Sequence, residues 1–327
     1  MKKIITLLLT VVILAMPLTA CKEDGKTKIE LNEVTHSVFY APLYVAIEQG
    51  YFDDENIEIS LTNGGGADKV MTALLSKNAQ IGLMGPETVV YVQNQDKADA
   101  PKVFGQLTQK DGAFLVSRTN EQNFDFTSLA GKDILAGREG GMPAMSFEYA
   151  LYEKGLIRNV DYTFNFGVQF NLMTAAFEGG TSDYCTMFEP GASEYQKAGK
   201  GYVVASMGEF SGEIPYTSFI SLDSYMSKNP EIIKAFLRAV KRGADYILAH
   251  SDSEVATAIK AQFSTDSMES LTTSIASYRA ISAWKTDLIP TETSFDRLQD
   301  IMEYAGELTA RKTFTELVDL TYINALK

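Results

Sequence analysis

Residues 28–34 alternate apolar and polar, the period-two pattern of a half-buried strand. The spacing then changes. Pro42 opens a helix with Leu43, Ala46 and Ile47 on one face, and Gly50 closes it. Ile57 to Leu61 reads as a second strand, Asn63-Gly64-Gly65-Gly66 as a loop, and Asp68 to Lys77 as a helix with Val70 and Leu74 inward. Ile81 to Met84 is a short buried strand, after which Gly85-Pro86 turns into a helix at Glu87. Residues 102–107 and 113–118 predict two further strands. Strands alternating with helices in this way build a largely parallel sheet.

The pattern then begins again. Asp133 to Ala136 is a strand, Gly137 to Met142 a loop, and Pro143 to Lys154 a helix closed by Gly155. Thr163–Phe166, a helix at Leu172–Phe177, Tyr184–Phe188, a helix near Ala192–Lys197 and a strand at Tyr202–Ala205 continue it. Residues 215–222 read as a strand that carries the chain back, and the remainder is helical. The clearest helix starts at Asn229-Pro230 and places Ile233, Phe236, Leu237, Val240, Ala244 and Ile247 on one stripe. Two similar α/β units imply two lobes facing a cleft, with ligands beyond the carboxyl ends of the strands. The loops to inspect are therefore 35–42, 62–68, 84–88, 106–111, 137–143, 167–171 and 188–191.

The amino terminus carries an address. Lys2 and Lys3 precede an apolar run from Ile4 to Met16, followed by Pro17-Leu18-Thr19-Ala20-Cys21. A charged start, an apolar stretch short for a membrane span, and small residues at the end make a secretory signal over residues 1–20. The Leu-Thr-Ala-Cys ending resembles the bacterial lipobox, in which the cysteine is lipidated and becomes the first mature residue. A polar spacer, Lys22 to Lys28, follows Cys21. The expected location is outside the cytoplasm, with the chain tethered to the membrane by lipid on Cys21.

Composition narrows the chemistry. Hydrophobic residues make up 45% and charged residues 22%, an ordinary globular balance that excludes a disordered or fibrous chain. The formal net charge of −13 argues against a nucleic-acid groove, which needs clustered Lys and Arg. The cysteines are Cys21 and Cys185 and the histidines His36 and His250, too few for a closed zinc site or a histidine cage, so no metal and no cofactor are expected. Cys185, inside an apolar strand, reads as a small core residue. His36 reads as a structural histidine.

A family resemblance rests on several short motifs. Phe39-Tyr40-Ala41-Pro42-Leu43-Tyr44-Val45-Ala46 followed by Gly50-Tyr51-Phe52 is similar to the opening of the solute-binding proteins for nitrate, sulfonates, taurine and thiamine pyrimidines. Ala79-Gln80-Ile81-Gly82 resembles that family's D-I-G strand, and Leu129-Ala130-Gly131-Lys132 its entry to the second lobe. Asn229-Pro230 through Val240 resembles its returning helix. The resemblance implies a type II periplasmic-binding-protein fold serving an ABC importer. The partners it implies are a small-molecule solute, a membrane permease and a cytoplasmic ATPase, with the binding protein itself a monomer. It also implies lobe one at 28–116 plus 217–327, lobe two at 117–216, and a hinge of two crossings near 116 and 217.

Each candidate site residue has a plain alternative. Tyr40 and Phe39 precede a helix start, where an aromatic can stack on a planar ligand or pack the lobe core. Asn63 and Gly64 belong to a loop whose amides can line a ligand, or which simply needs positive φ. It lacks the Gly-Lys-Ser/Thr ending of a nucleotide loop. Gly85, Glu87 and Thr88 follow a buried strand, and the two polar side chains either bind ligand or cap the helix. Arg138, Gly140, Gly141 and Met142 form the matching loop of the second lobe, with Arg138 either pairing an anion or making an ion pair. Relatives that take sulfonates tend to carry Ser or Thr where Met142 and Pro143 stand, which favours a larger, less charged ligand. Glu189 aligns with the acid that pyrimidine-binding relatives direct toward an amino-heterocycle, against a reading as a helix cap. Asn171 and Gln169 offer neutral hydrogen bonds, and Tyr216 is a second stacking face or a hinge packer.

An enzymatic reading lacks its residues. Eukaryotic relatives include a pyrimidine synthase that consumes its own histidine. Those chains carry histidine where this one has Tyr40, and a cysteine cluster where this one reads Glu213-Ile214-Pro215-Tyr216-Thr217. No nucleophile elbow or paired His-Glu motif is visible. The expected function is capture of a thiamine-precursor-like aminopyrimidine, with an alkanesulfonate or similar small anion as the alternative ligand.

Overall fold

The computed structural model describes residues 25–95 and 99–326. The signal segment 1–20 and the lipidation site Cys21 lie outside the described residues.

The strands are β1 (Thr27–Glu33), β2 (Ile57–Asn63), β3 (Ile81–Met84), β4 (Pro101–Thr108), β5 (Ala113–Ser117), β6 (Asp133–Leu135), β7 (Thr163–Phe164), β8 (Tyr184–Phe188), β9 (Tyr202–Ser206) and β10 (Thr217–Leu222). They form two sheets of five strands, ordered β2-β1-β3-β10-β4 and β7-β6-β8-β5-β9. The expectation of a largely parallel sheet holds for β1, β2 and β3, and for β6, β7 and β8. The other strands correct it. β10 runs antiparallel between β3 and β4, and β5 antiparallel between β8 and β9. The two exchanged strands are those that cross between lobes, so each enters its sheet from the cleft side.

That exchange moves the expected boundary. Ala113–Ser117 pairs along its whole length with the second sheet, so the outward crossing is 109–112, not 116. The return crossing is 212–216, since β10 begins at Thr217. The crossings are tied together by Ile214 N–H to Gln109 O (2.9 Å) and Tyr216 N–H to Thr108 O (3.3 Å).

The long helix Pro230–Ala249 sits on the first lobe with Phe236, Leu237 and Val240 buried. Gly243 lets it meet the helix Ala41–Glu48 closely, because a Cβ there would stand 2.0 Å from the Pro42 carbonyl oxygen. Two later helices touch both lobes, which assigning all of 217–327 to lobe one did not anticipate. Met268–Ala280 presents Ser277 and Tyr278 to Glu189. Glu292–Tyr304 presents Arg297 to Glu153 and to the Ser211 carbonyl. The second lobe has its own apolar cluster around Leu115, Ile134, Phe147, Leu151 and Tyr184. Cys185 is buried in β8, and burial pushes its thiol up to about 12.

Candidate functional site

A cavity of about 380 Å³ lies between the lobes. Its walls come from the turns that follow strands. Val34 and Thr35 follow β1, Gly65–Lys69 follow β2, and Gly85 and Glu87 follow β3. Arg138 and Gly141–Pro143 follow β6, Phe166–Asn171 follow β7, and Phe188 ends β8. Tyr40 stands at the helix start after β1, and Tyr216 and Thr217 come from the return crossing.

Aromatic rings make much of this surface. Phe170 and Phe188 lie 6.0 Å apart by ring centroid, and Phe188 and Tyr216 6.5 Å. Behind them Phe39 packs 5.7 Å from Tyr40, 5.7 Å from Phe188 and 5.8 Å from Tyr216. Phe39 is fully buried and absent from the cavity wall. It is the buttress on which three lining rings rest, which corrects its expected role as a ligand contact. Tyr40 and Tyr216 line the cavity, and burial is the main force keeping both phenols protonated.

Glu87 is the unusual group. It lines the cavity, is 2% exposed, and its Oε2 has no hydrogen-bond partner. The carboxylate folds back over Gly85, where a Cβ would stand 2.0 Å from that oxygen. A side chain at residue 85 would push the Glu87 carboxylate out of this position. Burial pushes the carboxyl up to about 7, partly offset by its own amide, Arg138 and the Met142 amide of the opposite lobe. A buried carboxyl oxygen without a donor costs free energy until something supplies one. Near neutral pH this group can both donate and accept, depending on its proton.

The mouth carries opposite charges. Arg138 Nη1 stands 3.5 Å from Asp68 Oδ1, joining the two lobes, with the side chains 49% and 56% exposed. At that exposure the pair contributes about 0–1 kcal/mol. Lys69 lines the same rim.

Other expected residues take different places. Glu189 is buried but absent from the cavity wall. It accepts from Ser193 N–H (3.0 Å), Ser193 Oγ (2.6 Å) and Ser277 Oγ (3.1 Å), so its carboxylate is already satisfied. It anchors the helix Gly191–Lys197 and ties the second lobe to Met268–Ala280. Thr88 donates to the Gly85 carbonyl (2.7 Å), so its hydroxyl is used within the turn rather than as a cap on the helix amides. Asn63 Oδ1 accepts from Gly65 N–H (2.9 Å), and Gly64 packs where a Cβ would stand 2.7 Å from Asn32 Oδ1. Neither lines the cavity; Gly65 and Gly66 do. Gly140 accepts from the Tyr91 hydroxyl (2.9 Å), a contact between lobes outside the cavity. Gly85, Arg138, Gly141, Met142, Gln169 and Asn171 line it. His36 pairs with Glu33 (2.7 Å) and stacks on Phe263, away from the cavity. Lining residues not anticipated include Lys69, Phe166, Phe170 and Phe188; all four fall in or next to loops singled out by strand order, and for the three phenylalanines aromatic character was the available signal.

Residues 38–254 match the family model described as NMT1/THI5 like. The chain belongs to the NMT1/THI5-like family. It is 39% identical over 309 residues to the candidate binding protein YtlA of Bacillus subtilis (strain 168), covering 94% of this chain and 92% of that one. The fold is similar to the ligand-binding component of an ABC-type import system from Staphylococcus aureus, with TM-score 0.72 and 13% identity, covering 91% of this chain and 98% of that one. It is also similar to the alkanesulfonate-binding protein SsuA from Xanthomonas axonopodis pv. citri bound to MOPS, with TM-score 0.71 and 14% identity, covering 90% and 99%. The fold is the type II periplasmic-binding-protein fold that the motifs implied. Among the described residues no helix is long and apolar enough to cross a membrane.

Proposed function

We propose that this protein is the extracytoplasmic solute-binding lipoprotein of an ABC importer, and that its solute is a small planar nitrogen heterocycle of the aminopyrimidine class. The observation that carries this reading is the buried Glu87 carboxyl on an aromatic-lined cavity between two lobes, whose Oε2 has no hydrogen-bond partner. An amino group beside a ring nitrogen offers one donor and one acceptor. A protonated Glu87 donates to the ring nitrogen and accepts from the amine; an ionised Glu87 binds the protonated ring bidentately. The flat faces of such a ring fit the rings of Tyr40, Phe170, Phe188 and Tyr216.

A micromolar complex needs about −8 kcal/mol. Aromatic stacks supply roughly 0.5–1.5 kcal/mol each beyond area burial, and a hydrogen bond to a charged group about 1.5–3 kcal/mol. Closure is driven by the solute's differential affinity for the closed lobes. The closed form would deliver the solute to a membrane permease driven by a cytoplasmic ATPase, while lipid on Cys21 keeps the binding protein at the membrane face as a monomer.

The second reading, an alkanesulfonate or similar small anion, draws on Arg138, Lys69 and the glycine-rich turns at the cavity. Arg138 already pairs with Asp68, and an ionised Glu87 repels an anion. The synthase chemistry of the eukaryotic relatives is not part of this reading: the resemblance implies a histidine at Tyr40 and cysteines within residues 213–217, and this chain carries neither.

A thermal-shift screen of residues 22–327 separates the readings. A solute present at 100 times its Kd adds about 2.7 kcal/mol of stability. Stabilisation by 4-amino-2-methylpyrimidine and not by ethanesulfonate is expected; the reverse pattern overturns the aminopyrimidine reading. Radiolabelled fatty acid should enter the wild-type chain in bacteria and not a Cys21→Ser variant; equal labelling would remove the anchor.

A further inference from the structure

The second-lobe loop 138–142, which walls the cavity with Arg138, Gly141 and Met142, is held to the first lobe by more than the exposed Arg138–Asp68 pair. The Tyr91 hydroxyl donates to the Gly140 carbonyl at 2.9 Å, in a partly buried contact, and lies 3.7 Å from Met145 Sδ. Tyr91 belongs to the helix Glu87–Gln93, between β3 and β4 of the first lobe. Gly140 and Met145 lie between β6 and β7 of the second. Among the described residues, both partners of this hydroxyl therefore belong to the opposite lobe.

The placement of Tyr91 ties this contact to the solute site. Tyr91 stands four residues after Glu87 on one helix, a spacing that puts the two side chains on the same face. Glu87 lines the cavity, and Tyr91, one turn on, holds the loop that faces it from lobe two. The receiving loop is a built turn. Gly141 N–H closes it onto the Arg138 carbonyl (3.0 Å), and Gly140 takes φ +68°, backbone that favours glycine. A Cβ on Gly140 would also stand 3.3 Å from the Glu307 carboxylate. Donor and acceptor sit on different lobes, so the bond exists only when the lobes are together. In an open form water would take its place, and the bond adds to the closed state alone.

We propose that Tyr91 is a positioning residue for solute binding, a latch that holds the 138–142 loop against the first lobe once the lobes close. Tyr91 does not line the cavity and does not touch the solute. It acts through the Gly140 backbone. The latch forms after encounter, so it slows release rather than speeding capture. The inference rests on the binding reading above.

The test compares wild type with Tyr91→Phe, which keeps the ring and removes only the hydroxyl, in the chain from residue 22. With 4-amino-2-methylpyrimidine as probe, Tyr91→Phe should weaken binding roughly threefold to tenfold, the scale of one lost hydrogen bond. Stopped-flow kinetics should place that loss in the dissociation rate, with the association rate within about twofold of wild type. Affinity within about twofold of wild type, or a loss carried by association, overturns the latch. A second readout works without probe. Spin labels at Glu58→Cys, exposed on the edge strand β2, and at Val160→Cys, 77% exposed in lobe two, report the separation of the lobes. Tyr91→Phe in this labelled chain should lower the short-distance population; identical distance distributions overturn the latch. A wild-type chain that ignores the probe counts against the aminopyrimidine reading, and the label distances then decide the latch by themselves.

Discussion

Glu87 and Glu189 follow corresponding strands of the two lobes, β3 and β8, the first just after a proline and the second just before one, and both are almost wholly buried. Their surroundings make them opposites. Glu189 receives three hydrogen bonds from two serines, one of them on a helix from the far end of the chain. Glu87 keeps an oxygen with none. Residue type and burial are equal; the supply of donors decides which acid is structural and which is left for a solute.

The comparison breaks most visibly under substitution. Glu87→Gln should weaken 4-amino-2-methylpyrimidine binding by roughly 10- to 100-fold, the scale of one lost hydrogen bond to a charged group. The same change should stabilise the unliganded protein at pH 8 by up to about 3 kcal/mol, because the raised carboxyl costs free energy once ionised. The sign follows from linkage. The folded chain holds the Glu87 proton up to about pH 7, whereas the unfolded chain releases it near 4.5. This group's contribution to stability therefore falls as pH rises through that window and stays low above it. Unfolding midpoints measured from pH 4.5 to 8 should show a shallower fall in Glu87→Gln; an unchanged slope would mean the acid is not buried as described. Asp111, pushed up to about 7 by burial, adds a second share of the wild-type slope.

Glu189→Gln should do the reverse. Losing charge from a satisfied cluster should cost about 1–3 kcal/mol of stability at pH 7, with probe affinity changed less than roughly threefold. A large affinity loss in a well-folded variant would return Glu189 to the site. Tyr40→Leu should weaken the probe by roughly threefold to tenfold, the scale of one lost aromatic contact. Arg138→Ala should have the smallest effect, a rise in dissociation rate of roughly threefold or less that disappears in 1 M salt, because the Asp68 pair is half exposed.

Most of the architecture was readable from periodicity, and the turns after strand ends that were singled out supply much of the cavity. What escaped was non-local. The apolar run Ala113–Val116 announces a strand but cannot say which sheet will take it, so the crossing was expected too late in the chain. Glu189 was assigned to the solute because nothing near it in sequence reveals Ser277, which arrives 88 residues later. Asn63 and Gly64 had the right composition, yet the Asn63 side chain is spent on its own turn and the cavity falls to the next two glycines. Phe39 and Tyr40 are neighbours with the same chemistry, and the turn of one short helix puts the first behind the wall and the second in it.

Calorimetric titration of 4-amino-2-methylpyrimidine into wild type, Glu87→Gln and Glu189→Gln at pH 7 tests the central claim most directly. Tight binding in wild type and Glu189→Gln with a loss of tenfold or more in Glu87→Gln is the expected result. Undiminished binding in Glu87→Gln, or a loss confined to Glu189→Gln, would contradict it.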